Sequence, residues 1–580
     1  MKKTIPVENT GQAYLELLRD RGIKYFFGNA GTDFAPLVEA FSKFAAEGKS
    51  HPKPVLVPHE FVAVSMAHGY YLVTGEPQVV MVHVTVGTAN ALGAIINAAR
   101  SRVPIFFTAG RTPITEEGCK GARNIYIHWA QEAFDQAGLL REFVKWDYEL
   151  RNFIQLETVV DRALEVAMTE PRGPVYLTLP REVLAEEHRE ITFHSPSRHA
   201  GITGSLSRLY PDPERMKEAA QILAQAKNPL ILTDALGRNP AAVGALVELA
   251  ESLAIPVIES NHTHMNFPTD HPLHLGFSVT DSSTPYLKEA DVILVIEADV
   301  PWYPSVSKPD EQAKIIHLGI DPLYTRYPIR GYPSDLVLTA DPQVALSALT
   351  KEVAKYRTKM KSTIQKRYKK LQEIHDRQRE SWKKEALKVK EDKPIDPRWL
   401  SYCINQAKDE DTIIVNEYDL LPTQVQYRYP GTYFAAPHSG CLGWGLGAAL
   451  GVKLAAPDKT VIATVGDGSY IFGVPTAAHF VAQAQNLPIL VVIFNNQCWG
   501  AVKWSTVDLY PQGWAVKTNN FPLSNLEPSP DYEKIIQAHQ GYGERVENPE
   551  EVLPALQRAL KIVREEKRQA VLNVICKHPS

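Results

Sequence analysis

Two short polar motifs near the end of the chain have the residue types of a metal and diphosphate site. Gly466-Asp467-Gly468 follows one apolar run, and Asn495-Asn496 closes the next. Asp467 offers a hard oxygen ligand suited to Mg²⁺ that bridges phosphate groups. The two glycines allow a sharp turn and a close approach of backbone to an anion. The pair of motifs therefore indicates a site for a diphosphate and a divalent cation.

The elements around these motifs place both of them at one edge of a parallel sheet. Residues 461–465 predict a fully buried strand, a helix is expected over about 474–485, and residues 487–494 predict the next strand. Open α/β sheets bind their ligands at the carboxyl ends of their strands. We therefore expect Asp467 and Asn496 to lie close together.

This constellation resembles the fingerprint of thiamine-diphosphate-dependent enzymes. In that family the aspartate, the second asparagine and a backbone carbonyl two residues later hold Mg²⁺ against the diphosphate. By resemblance, the metal ligands here are Asp467, Asn496 and the backbone oxygen of Cys498. The resemblance also implies a diphosphate-binding surface, which would consist of Gly466, Gly468 and Ser469.

Composition limits the class of protein. A chain of 580 residues is too long for one hydrophobic core, so we expect about three domains. The net charge of −4, without a basic tract on a folded face, argues against nucleic acid as a partner. No window is apolar enough to span a membrane, and the N-terminus lacks a signal-peptide pattern. The five cysteines lack metal-ligand spacing, which argues against zinc and disulfides and favours the cytoplasm.

The alternation of helical and strand patterns predicts an α/β fold of three successive doubly wound parallel-sheet domains. The first domain is predicted over residues 1–190 and the middle domain over 191–350. Residues 351–395 are crowded with charge and predict a linker helix exposed to solvent. The third domain, with the diphosphate motifs, is predicted over residues 396–580. By resemblance, the first domain would bind the pyrimidine of thiamine.

Glu60 is the candidate for activating the cofactor. Thiamine chemistry needs a carboxyl group against the pyrimidine N1′, in an apolar pocket that lets it share a proton. Glu60 follows a strand at 55–57 and opens a helical stretch at 61–69, at the edge of the first sheet. The alternative is that it only places a favourable charge at a helix N-terminus. The segment around His59-Glu60 resembles the glutamate-bearing segment of the family.

Other segments on the pyrimidine side resemble the benzoylformate decarboxylase group. By that resemblance His83 is a proton-transfer residue, and Thr32 replaces a small hydroxyl residue near the substrate carboxylate. Leu442 would lie beneath the two rings of the cofactor, and the carbonyl of Gly440 would accept from its 4′-amino group. The alternatives are that His83 is a structural histidine at a strand end and that Leu442 is an ordinary core leucine.

Two segments depart from this pattern. Residues 124–132 and 497–502 differ from both benzoylformate decarboxylase and acetolactate synthase, and they are closer to the 2-hydroxyacyl-CoA lyase group. In relatives these segments line the substrate side of the site, so the identity of the substrate stays open. His128 would shape an acceptor pocket there, or it would form an ordinary aromatic pair with Trp129.

The resemblance implies an enzyme that makes or breaks a carbon–carbon bond next to a carbonyl through an enamine intermediate, as a 2-oxo acid decarboxylase or carboligase. The first alternative is a 2-hydroxyacyl-CoA lyase that releases formyl-CoA with a ketone or aldehyde. The second is a catalytically silent nucleotide-binding assembly protein, which the joint presence of Glu60, Asp467 and Asn496 argues against.

The resemblance also implies cofactors and partners. Thiamine diphosphate and Mg²⁺ would lie between the first domain of one subunit and the third domain of another, in a homodimer or a dimer of dimers. Relatives bind FAD or ADP in the middle domain. This middle domain lacks a G-x-G-x-x-G motif, so the choice between FAD, ADP and no ligand stays open. The substrate would be a small molecule.

Overall fold

Three parallel sheets of six strands follow one another along the chain. They are seen in a computed structural model that describes residues 2–194, 207–278 and 284–578. The apolar runs that predicted strands form the buried centres of these sheets, as expected for strands covered by helices on both faces. The predicted α/β class with three doubly wound domains is confirmed. The domain boundaries stay predictions.

The first sheet has the strand order β3-β2-β4-β5-β7-β6, and all of its pairings are parallel. A separate antiparallel pair joins β1 to β8. The strands are β1 (Lys2–Pro6), β2 (Tyr25–Gly28), β3 (Lys53–Leu56), β4 (Val79–Val82), β5 (Phe106–Arg111), β6 (Asp147–Glu149), β7 (Val175–Pro180) and β8 (Glu190–His194). The helices are α1 (Thr10–Asp20), α2 (Ala35–Ala46), α3 (Glu60–Thr74), α4 (Val84–Arg100), α5 (Ile127–Ala130), α6 (Leu156–Met168) and α7 (Arg181–Ala185).

The middle sheet has the order β11-β10-β9-β12-β13-β14. Its strand order reverses between β9 and β12, which is the arrangement of dinucleotide-binding sheets. The strands are β9 (Pro229–Thr233), β10 (Val257–Ser260), β11 (His274–Ser278), β12 (Val292–Ile296), β13 (Lys314–Gly319) and β14 (Leu336–Thr339). The helices are α8 (Pro213–Gln225), α9 (Pro240–Leu253), α10 (Pro285–Glu289) and α11 (Pro342–Lys388).

The third sheet has the order β16-β15-β17-β18-β20-β19, which repeats the order of the first sheet strand for strand. The strands are β15 (Ile413–Glu417), β16 (Tyr433–Ala435), β17 (Val461–Gly466), β18 (Leu490–Asn495), β19 (Tyr542–Val546) and β20 (Ala570–Ile575). The helices are α12 (Pro397–Ala407), α13 (Trp444–Ala455), α14 (Asp467–Phe472), α15 (Pro475–Ala484), α16 (Gly500–Leu509), α17 (Trp514–Thr518), α18 (Tyr532–Gln537) and α19 (Val552–Lys561).

Helices α3 and α13 join the first and third domains within one chain. Their buried residues belong to a single hydrophobic core that includes strands of both sheets. Glycines allow the close approach: a Cβ on Gly69 would overlap the carbonyl of Ala448, and a Cβ on Gly451 would overlap that of Met66. Helices α3 and α13 therefore pack directly against each other.

The charged segment forms part of α11, a helix of 47 residues that begins at Pro342. Asp341 caps its first turn, and its apolar residues, including Leu346 and Leu349, pack into the core of the middle domain. The helix therefore supports the middle domain as well as leading to the third. Among the described residues, no helix is long and apolar enough to cross a membrane.

Candidate active site

Asp467 lies at the carboxyl edge of the third sheet, where β17 ends and α14 begins. It is 1% exposed, and in the described part of the chain no group donates a hydrogen bond to its Oδ2. Burial raises the pKa of this carboxyl to about 6, although backbone N–H groups, among them those of Asn496 and Gln497, favour the charged form. A buried carboxylate oxygen without a donor suits a bound cation.

The chain turns from β17 into α14 at Gly466-Asp467, and close packing explains why glycines flank the aspartate. Gly466 has a φ of −71°, within the range of any residue, and the helix starts directly after it. A Cβ on Gly466 would lie 2.7 Å from Oδ2 of Asp419, and one on Gly468 would overlap the indole ring of Trp499. Only glycine therefore lets these side chains approach the motif.

The asparagine motif follows β18 and meets the aspartate motif through the backbone. Asn495 is fully buried and donates to Asn573 Oδ1 at 2.9 Å, so it supports the sheet edge. Asn496 Oδ1 accepts from the N–H of Cys498 at 3.0 Å. Two hydrogen bonds hold this turn in place: the N–H of Trp499 donates to the carbonyl of Ser524, and the N–H of Leu526 donates to the carbonyl of Gln497. Neither of these two bonds uses the carbonyl of Cys498. The three predicted metal ligands lie in one region.

Two acidic residues of this region were missed by the sequence analysis. Glu417 ends β15 and accepts hydrogen bonds from the N–H groups of Gly443 and Gly445 at the start of α13. Asp419 lies beside Asp467, and burial together with the charge of Asp467 raises its pKa to about 7. The available signal was the run Glu417-Tyr-Asp419 directly after a strand that neighbours β17.

Glu60 is the first residue of α3 and is 7% exposed. Its two carboxyl oxygens accept hydrogen bonds from two amides: Asn29 donates to Oε1 at 2.8 Å, and Asn90 donates to Oε2 at 2.5 Å. His59 caps the helix by accepting from the N–H of Phe61. The sequence analysis assigned no role to either asparagine, although both lie in segments that carry the resemblance. The position of the carboxyl group is therefore fixed from two sides.

His83 lies between β4 and α4 and bonds to Asp33. Its Nδ1 is 2.5 Å from Asp33 Oδ1. Burial alone lowers the pKa of His83, but the hydrogen bond and charge of Asp33, with a smaller contribution from Glu60, outweigh it and raise the pKa. Val84, the next residue, has a φ of +33°, a strained conformation for a β-branched side chain. Such strain is often found at functional sites.

Thr32 and His128 meet in the same cluster. Thr32 Oγ1 lies 3.3 Å from His128 Nε2, and the imidazole of His128 is 2% exposed. Burial, together with the positive charges of Arg181 and Arg123, lowers the pKa of His128. The four predicted catalytic residues thus lie at the carboxyl edge of the first sheet: Thr32, Glu60 and His83 follow β2, β3 and β4, and His128 joins them through its contact with Thr32.

Gly440 and Leu442 lie on the loop before α13, next to helix α4 of the first domain. Asn97 donates to the carbonyl of Cys441 at 2.9 Å and accepts from the hydroxyl of Ser439 at 2.6 Å. The same helix carries Asn90, the partner of Glu60. Helix α4 therefore links Glu60 to the predicted cofactor-bending loop within one chain, whereas the resemblance implied that these two parts of a site belong to different subunits.

In the middle domain, three charged side chains meet near the point where the strand order reverses. Glu297 follows β12; it pairs with Arg238, and its Oε1 accepts from the N–H of Ile320 at 2.7 Å. Arg102 of the first domain reaches the same carboxylate at 3.6 Å. The carboxylate of Glu297 therefore already binds the backbone N–H that follows β13.

The fold and the site define a class of three-domain α/β enzymes with a diphosphate cofactor. Family models for thiamine pyrophosphate enzymes match the chain in three consecutive parts: the N-terminal TPP binding domain over residues 8–139, the central domain over 216–349 and the C-terminal TPP binding domain over 420–574. The chain belongs to this family and is an enzyme of this type.

Named relatives span most of the chain. Benzoylformate decarboxylase from Pseudomonas aeruginosa is 29% identical over 505 residues, covering 85% of this chain and 87% of the relative. Acetolactate synthase isozyme 3 large subunit from Escherichia coli is 25% identical and covers 94% and 91%. In fold, the chain is similar to the thiamine diphosphate-dependent 4-hydroxybenzoylformate decarboxylase of Rhodococcus jostii RHA1, with a TM-score of 0.77, 24% identity and coverage of 98% and 99%.

Proposed function

We propose that this enzyme uses thiamine diphosphate and Mg²⁺ to break or form the carbon–carbon bond next to the carbonyl of a 2-oxo acid. The observation that carries the proposal is the cluster of Glu60, His83, Thr32 and His128 at one sheet edge. Relatives named benzoylformate decarboxylase and acetolactate synthase support this reaction class. When bound, the thiazolium of the cofactor supplies an electron sink for the bond that breaks.

The groups of the third domain fit the cofactor's diphosphate and its cation. Asp467 Oδ2, Asn496 and the carbonyl of Cys498 are the oxygen ligands that Mg²⁺ prefers. Ser469 and the N–H groups of Gly466 and Gly468 would hold the diphosphate at the start of α14. On the pyrimidine side, Glu60 would hold a proton at N1′, with its carboxyl group oriented by Asn29 and Asn90.

The surroundings of two histidines shift their pKa values in opposite directions. Asp33 favours the charged form of His83, whereas burial and two arginines favour the neutral form of His128. Titratable groups whose pKa values are pushed apart are the usual acid and base of such sites. We assign proton donation to His83 and proton acceptance, or carbonyl binding with Thr32, to His128.

We propose that the active form is a homodimer or a dimer of dimers in the cytoplasm. Helix α16, which follows the metal motif, has no buried residue. Large apolar side chains on it and on the following segment are exposed: Trp504 by 45%, Leu509 by 68% and Trp514 by 79%. An apolar patch of this kind beside a site supports an interface with a second subunit. The five cysteines are unpaired, which suits a reducing compartment.

The test supplies purified enzyme with thiamine diphosphate, Mg²⁺ and a panel of 2-oxo acids and 2-hydroxyacyl-CoA esters, and follows consumption by mass spectrometry. We expect a 2-oxo acid to be consumed with release of CO₂, and no turnover without the cofactor. Formation of formyl-CoA from a CoA ester would contradict the proposed substrate class and support the lyase alternative. Cofactor binding without turnover of any donor would support a silent site.

A further inference from the structure

His438 of the third domain lies at a junction with the middle domain, two residues before Gly440. Its Nδ1 is 3.0 Å from both carboxyl oxygens of Asp299 and 3.5 Å from Asp234 Oδ2. Its Nε2 bonds to the carbonyl of Asn261 at 2.9 Å. Both ring nitrogens of His438 are therefore held by groups of the middle domain, which follow the carboxyl ends of β9, β12 and β10.

The contact is an ion pair in which the carboxyl groups are buried and the His438 side chain is 25% exposed. Burial alone lowers the pKa of His438, but Asp234 and Asp299 outweigh it and raise the pKa to about 10, while burial raises the pKa of Asp234 itself to about 8; the hydrogen-bonded Asp299 is therefore the main charged partner. Asp299 also accepts from the hydroxyl of Tyr327 at 2.7 Å. The ligand atoms of Asp234, Asp299 and His438 lie within 4.8 Å of one another, the spacing of a cation site, but His438 already joins the two carboxyl groups through its hydrogen bond to Asp299 and its ion pair with Asp234. The imidazolium itself takes the place of a cation.

The far side of the same loop is held by the first domain and by β15. Asn97 bonds to Ser439 and to the backbone of Cys441. Glu417 holds the N–H groups of Gly443 and Gly445. Gly440 and Gly443, with φ values of +67° and +87°, allow the loop to bend between these anchors. His438 is therefore one of three anchors of the loop that carries Gly440 and Leu442, and it is the anchor that the middle domain holds.

We propose that His438 is a positioning residue: its ion pair with the middle domain sets the place of the Gly440 carbonyl and of the Leu442 side chain against the cofactor. This inference depends on the proposed function, because the loop has a catalytic role only if thiamine diphosphate binds there. A shift of about 1 Å in a positioning group can lower a rate about 100-fold. The middle domain thus acts on catalysis through His438.

The test compares His438→Gln with the matched control His188→Gln, in the full-length enzyme. His188 faces Glu186 at 3.7 Å in the first domain and has no contact with the loop. For each variant we would measure kcat, KM, thiamine diphosphate affinity and the near-ultraviolet circular dichroism of the bound cofactor. We expect His438→Gln to lower kcat roughly 10- to 100-fold, to change KM less and to alter the cofactor's dichroism. The control should change none of these.

A His438→Gln enzyme with the kcat and cofactor dichroism of the wild type would overturn the inference, even if its melting temperature fell. If that variant does not fold, Asp299→Asn weakens the same ion pair while keeping a hydrogen-bond acceptor. It should lower kcat in the same direction by a smaller factor, and an unchanged kcat would also overturn the inference. A wild-type protein that binds no thiamine diphosphate would contradict the proposed function instead, which keeps the two failures distinct.

Discussion

Asp33 Oδ1 lies 2.5 Å from His83 Nδ1, in a loop that packs so closely on the imidazole that a Cβ on Gly31 would overlap the ring. The carboxylate fixes the orientation of His83 and favours its charged form. The sequence analysis named His83 but not Asp33, because the two residues are far apart in the chain. Because Asp33 raises the pKa of His83, a substitution at Asp33 can test the role of His83 directly.

Asp33→Asn should lower the pKa of His83, because the charge that raises it is lost. If His83 acts as an acid, activity falls as the pH rises through its pKa, so the descending limb of the kcat profile should move to lower pH. The measurement is kcat against pH, with Asp135→Asn as the control, since Asp135 forms a surface ion pair with Arg141. An unchanged descending limb would show that His83 does not control it.

Asp467→Asn should weaken cation binding, because it removes the charged ligand itself. Losing a residue that only orients a metal ligand lowers affinity roughly 10- to 100-fold, so we expect a larger loss here. The measurement is Mn²⁺ titration by calorimetry in the presence of thiamine diphosphate. Asp458→Asn, on the exposed loop before β17, is the control and should bind as the wild type does. Equal affinity in both variants would remove Asp467 from the ligand set.

Gly69→Ala should destabilise the contact between the first and third domains by about 1–3 kcal/mol, because the new methyl group has no room against Ala448. Gly244→Ala is the matched control: Gly244 lies in helix α9 and a Cβ there meets nothing within 4 Å. That change should stabilise the protein by about 0.5–1 kcal/mol. Chemical denaturation of both variants measures the difference, and a neutral Gly69→Ala would mean that α3 and α13 can move apart at no cost.

The middle domain should bind neither FAD nor ADP, since Glu297 already occupies the N–H of Ile320 and pairs with Arg238. Purified enzyme should show no flavin absorbance, and added FAD or ADP should leave its melting temperature unchanged. A ligand that binds the folded protein alone would raise that temperature. Such a shift, or a yellow protein, would contradict this expectation.

The sequence predicted the parts of the fold that depend on local pattern. Continuous apolar runs such as those before Asp467 and Asn495 indicated buried parallel strands, and strand ends placed both motifs at one sheet edge. The turn from β17 into α14 at Gly466 uses no positive φ, so the glycines at 466 and 468 are explained by the side chains that press on them. Which side chains press on those glycines depends on tertiary packing, and local sequence does not encode it.

The partners of the candidate residues could not be predicted in the same way. Asn90 of α4 donates to Glu60 of α3, and Asp299 of the middle domain bonds to His438 of the third domain. Acidic and amide residues at strand ends are common as caps and turns, so the run that contains Glu417 and Asp419 did not by itself indicate a role in the site. A contact between distant segments became visible only in the folded chain.

The most direct test of the central claim is the rate of 2-oxo acid consumption by Glu60→Gln and wild-type enzyme, both supplied with thiamine diphosphate and Mg²⁺. Glu76→Gln is the control, because Glu76 forms an exposed ion pair with Lys24. We predict that Glu60→Gln still folds and binds the cofactor but turns over roughly 100- to 10,000-fold more slowly, the range for losing a proton-transfer group. Equal rates for Glu60→Gln and the wild type would contradict the account.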